Sequence, residues 1–295
     1  MSSKHEKFYI AYIFWLLFFV FFTNQYYDFN EIVSINQHDS ISYMAIAKSA
    51  PYFSNEEIAY HHAQRVFFPY LIGLISNFFK VDIMLSFRIG AFLVVFTIVL
   101  FHYLLTKILK TNLYVSLIFV SLLILNPYLI RYFIAVPTMV NDAAFILSLY
   151  LFLFGLVLNN SSTLIGVFFG LISRQNGIFL FAAFLIEKFF VLKYKLIKDK
   201  SVIASILILL IISFTANNYA KHVSLEGFDF RHAYGIFDWL AKDWNLLYFL
   251  KWAILPLYSY FPALIIIVIF FNLKSFDKNI LKDYPQPKTP RYLKK

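Results

Sequence analysis

Long runs without a charged side chain constrain this chain more than any other feature. Residues 8–22, 89–106, 113–130, 143–158, 202–216 and 252–271 contain no Asp, Glu, Lys or Arg. A bilayer core of about 30 Å is crossed by roughly 17–25 apolar residues in a helix. The runs therefore predict membrane-spanning helices. Composition agrees: 61% of residues are hydrophobic and 14% charged, against about 45–50% and about 25% in soluble domains. That excludes disordered, collagen-like and ordinary soluble proteins. With no cysteine, a disulfide framework and a thiolate metal site are excluded as well.

Two stretches do not fit a simple span. Residues 66–79 number 14, a length more typical of an interfacial or re-entrant helix. Residues 162–192 number 31 and are interrupted by Arg174-Gln175-Asn176-Gly177. At about 1.5 Å per residue a straight helix of that length overshoots the bilayer, so the segment reads as two short helices, 162–173 and 178–192, meeting at a polar break. The second span can begin as early as Met84.

Charge fixes the orientation, because cytoplasmic loops collect Lys and Arg. If 66–79 stays on one side and the broken stretch crosses twice, both termini, Lys107, Lys110 and the cluster Lys188, Lys193, Lys195, Lys198 and Lys200 are cytoplasmic. Sixteen of the 26 cations then lie inside with five of the 16 acids, a net of +11; outside, ten cations face eleven acids, a net of −1. The net charge of +10 is thereby explained without a nucleic-acid partner. The predicted fold is an all-α integral membrane protein of about eight transmembrane helices, with interfacial helices in a long first outer loop. It is one membrane domain: a first span (1–22), the outer loop (23–83), a helix bundle (84–271) and a basic cytoplasmic tail (272–295). Residues 8–22 are read as a retained helix, because Phe22-Thr23-Asn24-Gln25 lacks a small-residue cleavage site. Residues 217–251 form a second outer loop.

Charged and polar residues predicted at the outer ends of these helices are the candidates for chemistry. His38-Asp39-Ser40 opens a helical stretch that Pro51 ends; Asp39 or Ser40 can cap it, and Tyr43 and Ala47 follow Asp39 at four-residue steps on one face. Asp39 can be a general base or only a helix cap. His61-His62-Ala63-Gln64-Arg65 precedes the short helix, with Pro69 in its first turn. Arg65 can bind an anion or merely reach for the membrane surface. Adjacent His61 and His62 are a poor metal pair, and Glu56 and Glu57 would be needed to complete a site. Asn141-Asp142 stands at the outer end of a span, and Arg174-Gln175 at the tip of the broken pair. An uncompensated charge near membrane depth costs at least ~2–3 kcal/mol, so such residues face the bundle interior or a wet cavity. Arg174 and Asp142 can also pair as structural glue. Gly166 and Gly170 have the spacing of close helix packing. The 37 Phe and 21 Tyr are lipid-facing or core residues. Two acids and two cations on one face suit an anionic, partly lipidic ligand, since Arg is the natural phosphate partner and an acid can deprotonate a hydroxyl.

In order and type these features resemble the GT-C superfamily of membrane glycosyltransferases, which take sugars from polyprenyl-phosphate carriers. The resemblance covers residues 8–192. It rests on Asp39 in "HDSISYMAIA" after the first span, on Arg65 to Pro69 leading a non-spanning helix, on Asp142 in "VNDAAF", and on Gly170 to Gly177 around Arg174. It implies that Asp39 and Asp142 are the catalytic residues, Asp39 as the base and Asp142 supporting the acceptor or a metal. It further implies that Arg65 or Arg174 contacts the donor phosphate. Tyr43, Gln175 and Asn141 complete the expected substrate-binding set. No metal ligand is assigned, and a divalent metal is the one cofactor allowed for. The expected partners are a polyprenyl-phosphate-linked sugar, a glycan, lipid or protein acceptor, and the lipid bilayer. The expected location is a bacterial plasma membrane, with the site on its outer face. The chain departs from many members in having only His38 beside Asp39 instead of a second acid, and in lacking further C-terminal spans and a soluble domain.

Two other functions compete. A transporter or flippase of a lipid-linked sugar would use the same Arg and Asp residues without chemistry, although no internal repeat of the kind common in transporters is visible. A membrane acyl- or phosphotransferase would need a denser His/Asp cluster.

Overall fold

The computed structural model describes residues 3–35, 37–158, 161–192 and 199–225. The elements are α1 (Ser3–Thr23), α2 (Phe29–Ile35), α3 (Gln37–Ser49), α4 (Tyr60–Ala63), α5 (Phe67–Phe79), α6 (Ile83–Ile108), α7 (Leu113–Leu125), α8 (Ile130–Ala135), a 3-10 turn (Pro137–Met139), α9 (Val140–Leu158), α10 (Ser162–Ser173), α11 (Gly177–Leu192) and α12 (Lys200–Val223). No strand occurs among the described residues; the protein is all-α.

Five segments are long and apolar enough to cross a membrane: His5–Thr23, Ile83–Ile108, Leu113–Ala135, Pro137–Leu158 and Lys200–Val223. The described residues therefore supply five full-length spans toward the expected eight. Helices α10 and α11, with 12 and 16 residues, reach only about 18–24 Å at 1.5 Å per residue. The run 252–271, the loop 217–251 beyond residue 225 and the tail 272–295 lie outside the described residues.

Boundaries shift for local reasons. Asp82 accepts from Leu85 N at 2.9 Å and caps α6, so that helix starts six residues before Ile89 and includes Arg88. Asn112 and Asp199 cap α7 and α12 in the same way. The predicted span 113–130 is interrupted: α7 stops at Leu125, because a residue before Pro, here Asn126, is pushed out of helical geometry. Pro137 opens a 3-10 turn that feeds α9, and Asp142 consequently falls inside the first turn of that helix.

The main core joins α1, α3, α5, α6, α7, α8 and α9 around Leu16, Tyr43, Ile46, Phe87, Ile98, Leu117, Ile124 and Ile130. A smaller cluster of Phe152, Val167, Leu180, Phe181, Phe184 and Val202 ties α9 to α10, α11 and α12. Glycines set the closest approaches. A Cβ on Gly166 would lie 2.6 Å from Phe152 N, and one on Gly177 would lie 2.2 Å from the Gly170 carbonyl carbon. The α9–α10 and α10–α11 contacts are therefore backbone to backbone.

Helices α1 and α6 run antiparallel. Arg88 Nη2 donates to Tyr27 O at one end of the pair, and Lys107 Nζ pairs with Glu6 at 2.7 Å at the other. Helix α5 packs on α3 and leaves Leu71, Ile75 and Phe78 exposed. At spacings of four and three these residues form one apolar stripe, as an interfacial helix requires.

Candidate functional site

Four separate parts of the chain meet at the end of the bundle away from the Glu6–Lys107 pair. Helix α3 brings Asp39 and, one turn later, Tyr43. Helix α4 and its exit bring His62, Gln64 and Arg65. The first turn of α9 brings Asn141 and Asp142. The α10–α11 connection brings Arg174 and Gln175. Each of the seven residues singled out in the sequence is thus in or beside one cluster.

Asp39 is not the N-cap of α3, which begins at Gln37. It sits in the first turn, where the helix dipole favours a negative charge, and its carboxylate turns toward α4. Oδ1 lies 2.5 Å from His62 Nε2, and Oδ2 lies 3.8 Å from Arg65 Nη1. Burial pushes the Asp39 carboxyl up. The hydrogen bond and charge of His62, and then the charges of Arg65 and Arg174, outweigh that effect and hold it below its ordinary value. Asp39 is therefore ionised at neutral pH, and its side chain retains 22% of its exposure.

Arg65 is buried and heavily bonded. Its Nη1 donates to Tyr43 Oη at 2.9 Å and its Nε to Gln175 Oε1 at 3.0 Å. Its carbonyl accepts from Asn141 Nδ2 at 3.2 Å. Burial works against its charge, but Tyr43, Asp39 and Asp142 outweigh it, so the guanidinium stays protonated. Burial pushes the Tyr43 hydroxyl up to about 12 in spite of Arg65 beside it. Tyr43 is therefore a neutral partner, not a proton acceptor.

Amide groups extend the cluster toward α12. Gln175 Nε2 donates to His61 O at 2.6 Å and to Gln64 Oε1 at 3.2 Å, and Gln64 Nε2 donates to Asn217 Oδ1 at 2.6 Å. This chain borders a cavity of about 400 Å³ lined by Tyr60, Gln64, Gln175, Ser213 and Asn217 on its polar side and by Leu171, Ile178, Leu209 and Ile212 on its apolar side. The size falls in the range of small-ligand sites.

Arg174 is held differently from Arg65. Its Nη1 comes within 3.0 Å of Asp142 Oδ1, yet that oxygen makes no aligned hydrogen bond. The two attract by charge alone, and the Arg174 side chain keeps 29% of its exposure. The Oδ1 atom of Asn141 is likewise buried without a donor.

Sequence reasoning missed His62, Gln64, Ser42 and Asn217. In sequence, His61 and His62 read only as a poor metal pair. In the structure His62 belongs to Asp39, while Glu56 and Glu57 are exposed. Twenty-three positions separate Asp39 from His62, and no spacing rule links them. Among the described residues no three His, Cys, Asp or Glu side chains stand together as a metal site. Both site carboxylates face guanidinium or imidazole groups, so the residues present do not fit a divalent metal.

The chain matches no protein family, no curated protein and no solved structure.

Proposed function

We propose that the protein is a membrane glycosyltransferase that moves a sugar from a polyprenyl-phosphate donor to an acceptor hydroxyl. One observation carries this reading: Asp39, Arg65, Asp142 and Arg174, spread over 136 positions of the chain, converge at one end of an apolar bundle. Charges removed from water are costly unless paired, and this set holds two acids, two guanidiniums and one imidazole around a partly open carboxylate.

The roles divide by geometry. Arg65 has its Nε and Nη1 committed within the protein, and it braces Tyr43, Gln175 and Asn141. Arg174 is more open and lacks an aligned bond, so it is the residue to exchange Asp142 for the donor phosphate. Its planar fork suits two phosphate oxygens. Asp39 Oδ2 has no donor within hydrogen-bond distance in its ion pair with Arg65, which leaves that oxygen able to accept a proton.

The step then balances. The acceptor oxygen attacks the anomeric carbon and its proton passes to Asp39 Oδ2. The bond from the anomeric carbon to the phosphate oxygen breaks, and polyprenyl phosphate leaves with its negative charge facing Arg174. Attack opposite the leaving group inverts the anomeric centre. No strong general acid is needed, because phosphate is already a good leaving group. Lys107 and Lys110 stand at the opposite end of α6, and the preference for cytoplasmic cations supports an outer-face reading of the site.

The test uses purified protein in lipid vesicles, supplied with polyprenyl-phosphate hexoses and pentoses labelled in the sugar. Release of the sugar to water or to an added acceptor, lost in Asp39→Asn, is the expected result. Movement of intact donor between leaflets without release would favour the transporter reading.

A further inference from the structure

His62 joins α4 to α3 through both nitrogens of its ring. Its Nε2 lies 2.5 Å from Asp39 Oδ1, and its Nδ1 lies 3.0 Å from Ser42 Oγ. Asp39 and Ser42 are three residues apart, hence neighbours on one face of α3. His62 is 4% exposed and Ser42 8%. The imidazole also lies against the ring of His61 at 4.0 Å and that of Tyr43 at 6.1 Å. A histidine bound at both ends and packed on two sides has little freedom to turn.

Hydrogen-bond chemistry assigns the protons. Ionised Asp39 can only accept, so Nε2 must carry a hydrogen toward it. Nδ1 then accepts from the Ser42 hydroxyl in neutral His62, or donates to the Ser42 oxygen in the cation. Serine can do either, so both bonds survive a change in the charge of His62.

The consequence concerns the two oxygens of Asp39. Oδ1 is occupied by His62, whereas Oδ2 is 3.8 Å from Arg65, beyond a hydrogen bond. We propose that His62, held in orientation by Ser42, is the positioning residue that locks Asp39 Oδ1 and presents Oδ2 as the oxygen that takes the acceptor proton. This proposal rests on the glycosyltransferase reading for its kinetic consequence, but the locked Ser42–His62–Asp39 unit is a property of the fold that can be tested without turnover. His62 touches neither donor nor acceptor here; it acts through Asp39.

A general base is worth about 10²–10⁴ in rate, and orientation by a neighbour accounts for part of that. His62→Ala should lower kcat by at least ~10-fold, a fraction of the base's share, with KM for the donor little changed. His62→Gln, which keeps a donor near Asp39, should recover most of the loss. The pH profile separates positioning from simple support. The groups facing Asp39 and His62 are Arg65, Tyr43, His61, Arg174 and Asp142. Removing His62 deletes the strongest influence holding the Asp39 carboxyl down, so the acid limb of kcat should move to higher pH in His62→Ala.

The turnover-free arm is nitrogen NMR of the seven histidines in detergent-solubilised protein, with the His62 signal assigned by its absence in His62→Gln. The expected signal has Nε2 protonated at neutral pH. In Ser42→Ala the Nδ1 resonance should shift, and in Asp39→Asn the Nε2 proton should exchange faster with water. A His62 ring whose nitrogen signals respond neither to Ser42→Ala nor to Asp39→Asn would overturn the proposal, whatever the activity. So would a His62→Ala variant with unchanged kcat and acid limb while Asp39→Asn is inactive. If the wild-type protein releases no sugar, the glycosyltransferase reading falls, and the NMR result alone then decides whether the unit is locked.

Discussion

Arg174 Nη1 stands 3.0 Å from Asp142 Oδ1 across the gap between the α10–α11 connection and the first turn of α9, close enough to pair and too poorly aligned to hydrogen-bond. The contrast with Arg65, whose Nε and Nη1 both donate within the protein, separates a cation that holds the site together from one free to change partner. Arg174→Ala should therefore weaken donor binding by ~2–5 kcal/mol, the usual cost of truncating one side of a buried charge contact. The thermal midpoint should fall less than in Arg65→Ala, because Asp142 loses its partner but keeps part of its exposure. Arg174→Lys should restore charge without the planar fork and rescue poorly. Donor affinity measured by titration of a fluorescent polyprenyl phosphate checks this; unchanged affinity in Arg174→Ala would move the phosphate role elsewhere.

Arg65 should behave in the opposite way. Its removal leaves Tyr43 and Gln175 without their donor and Asp39 short of a cation in a buried setting. Arg65→Ala should lower the thermal midpoint and reduce expression, with donor binding lost only as the fold is lost. A well-folded Arg65→Ala protein that cannot bind donor would reverse the division of labour between the two arginines.

Gly73 sets the distance between α5 and α3. A Cβ there would fall 2.0 Å from Ala47 O, and Ala47 lies two turns along α3 from Asp39 on the same face. Overpacking of this kind typically costs about 1–3 kcal/mol. Gly73→Ala should lower the thermal midpoint and reduce turnover together, because α3 must move to relieve the clash. Gly90→Ala is the control: its Cβ would meet only the Ile72 side chain, Cδ1 at 3.4 Å and Cγ1 at 3.7 Å. Equal stability of the two variants would contradict the packing described for α3 and α5.

The α-helical class was legible in the sequence because the uncharged runs have the length at which one helix crosses a bilayer with its backbone bonds satisfied within the segment. The short helix at 67–79 and the break at Arg174 were legible for the same reason: their lengths do not fit a bilayer. The interruption of α7 after Leu125 is signalled only by Pro127, within a run that is otherwise uniformly uncharged. The charged members of the site were legible as charges stranded at helix ends. Of their neutral and weakly basic partners, Tyr43, Gln175 and Asn141 were legible beside those charges, and His62, Gln64 and Asn217 were not. His62, Gln64 and Asn217 look like ordinary loop and helix-end residues until the fold brings α4 against α3, α10 and α12. The pairing of His62 with Asp39 is a tertiary fact, set by the loop that carries the chain from Ser49 back to Tyr60.

Orientation has its own test, because the chain lacks native cysteine and a single one can be placed at will. Lys80 follows α5 and Lys110 follows α6; both are exposed. A cysteine at 80 should react from outside with a membrane-impermeant maleimide in intact cells. A cysteine at 110 should react only after permeabilisation. The reverse pattern would put Asp39 and Arg174 on the cytoplasmic side and remove the outer-face reading.

Asp39→Asn distinguishes a base from a structural acid most cleanly. Asn keeps the shape, the first-turn position and the ability to hydrogen-bond His62, but it cannot take a proton. If Asp39 is the base, sugar transfer should fall by about 10²–10⁴ while donor binding persists. The same substitution has a signature in stability. The folded Asp39 carboxyl lies below its ordinary value, so it contributes stability that is fully present above the usual carboxylate range and is lost as pH falls through its folded value. In the wild type the thermal midpoint should therefore drop on acidification below that range. The difference between wild type and Asp39→Asn should be greatest at neutral pH and shrink on the acid side. Loss of transfer together with that shrinking difference identifies Asp39 as an ionised carboxylate that works as the base. Full transfer in Asp39→Asn would leave Asp142 as the remaining carboxylate of the site.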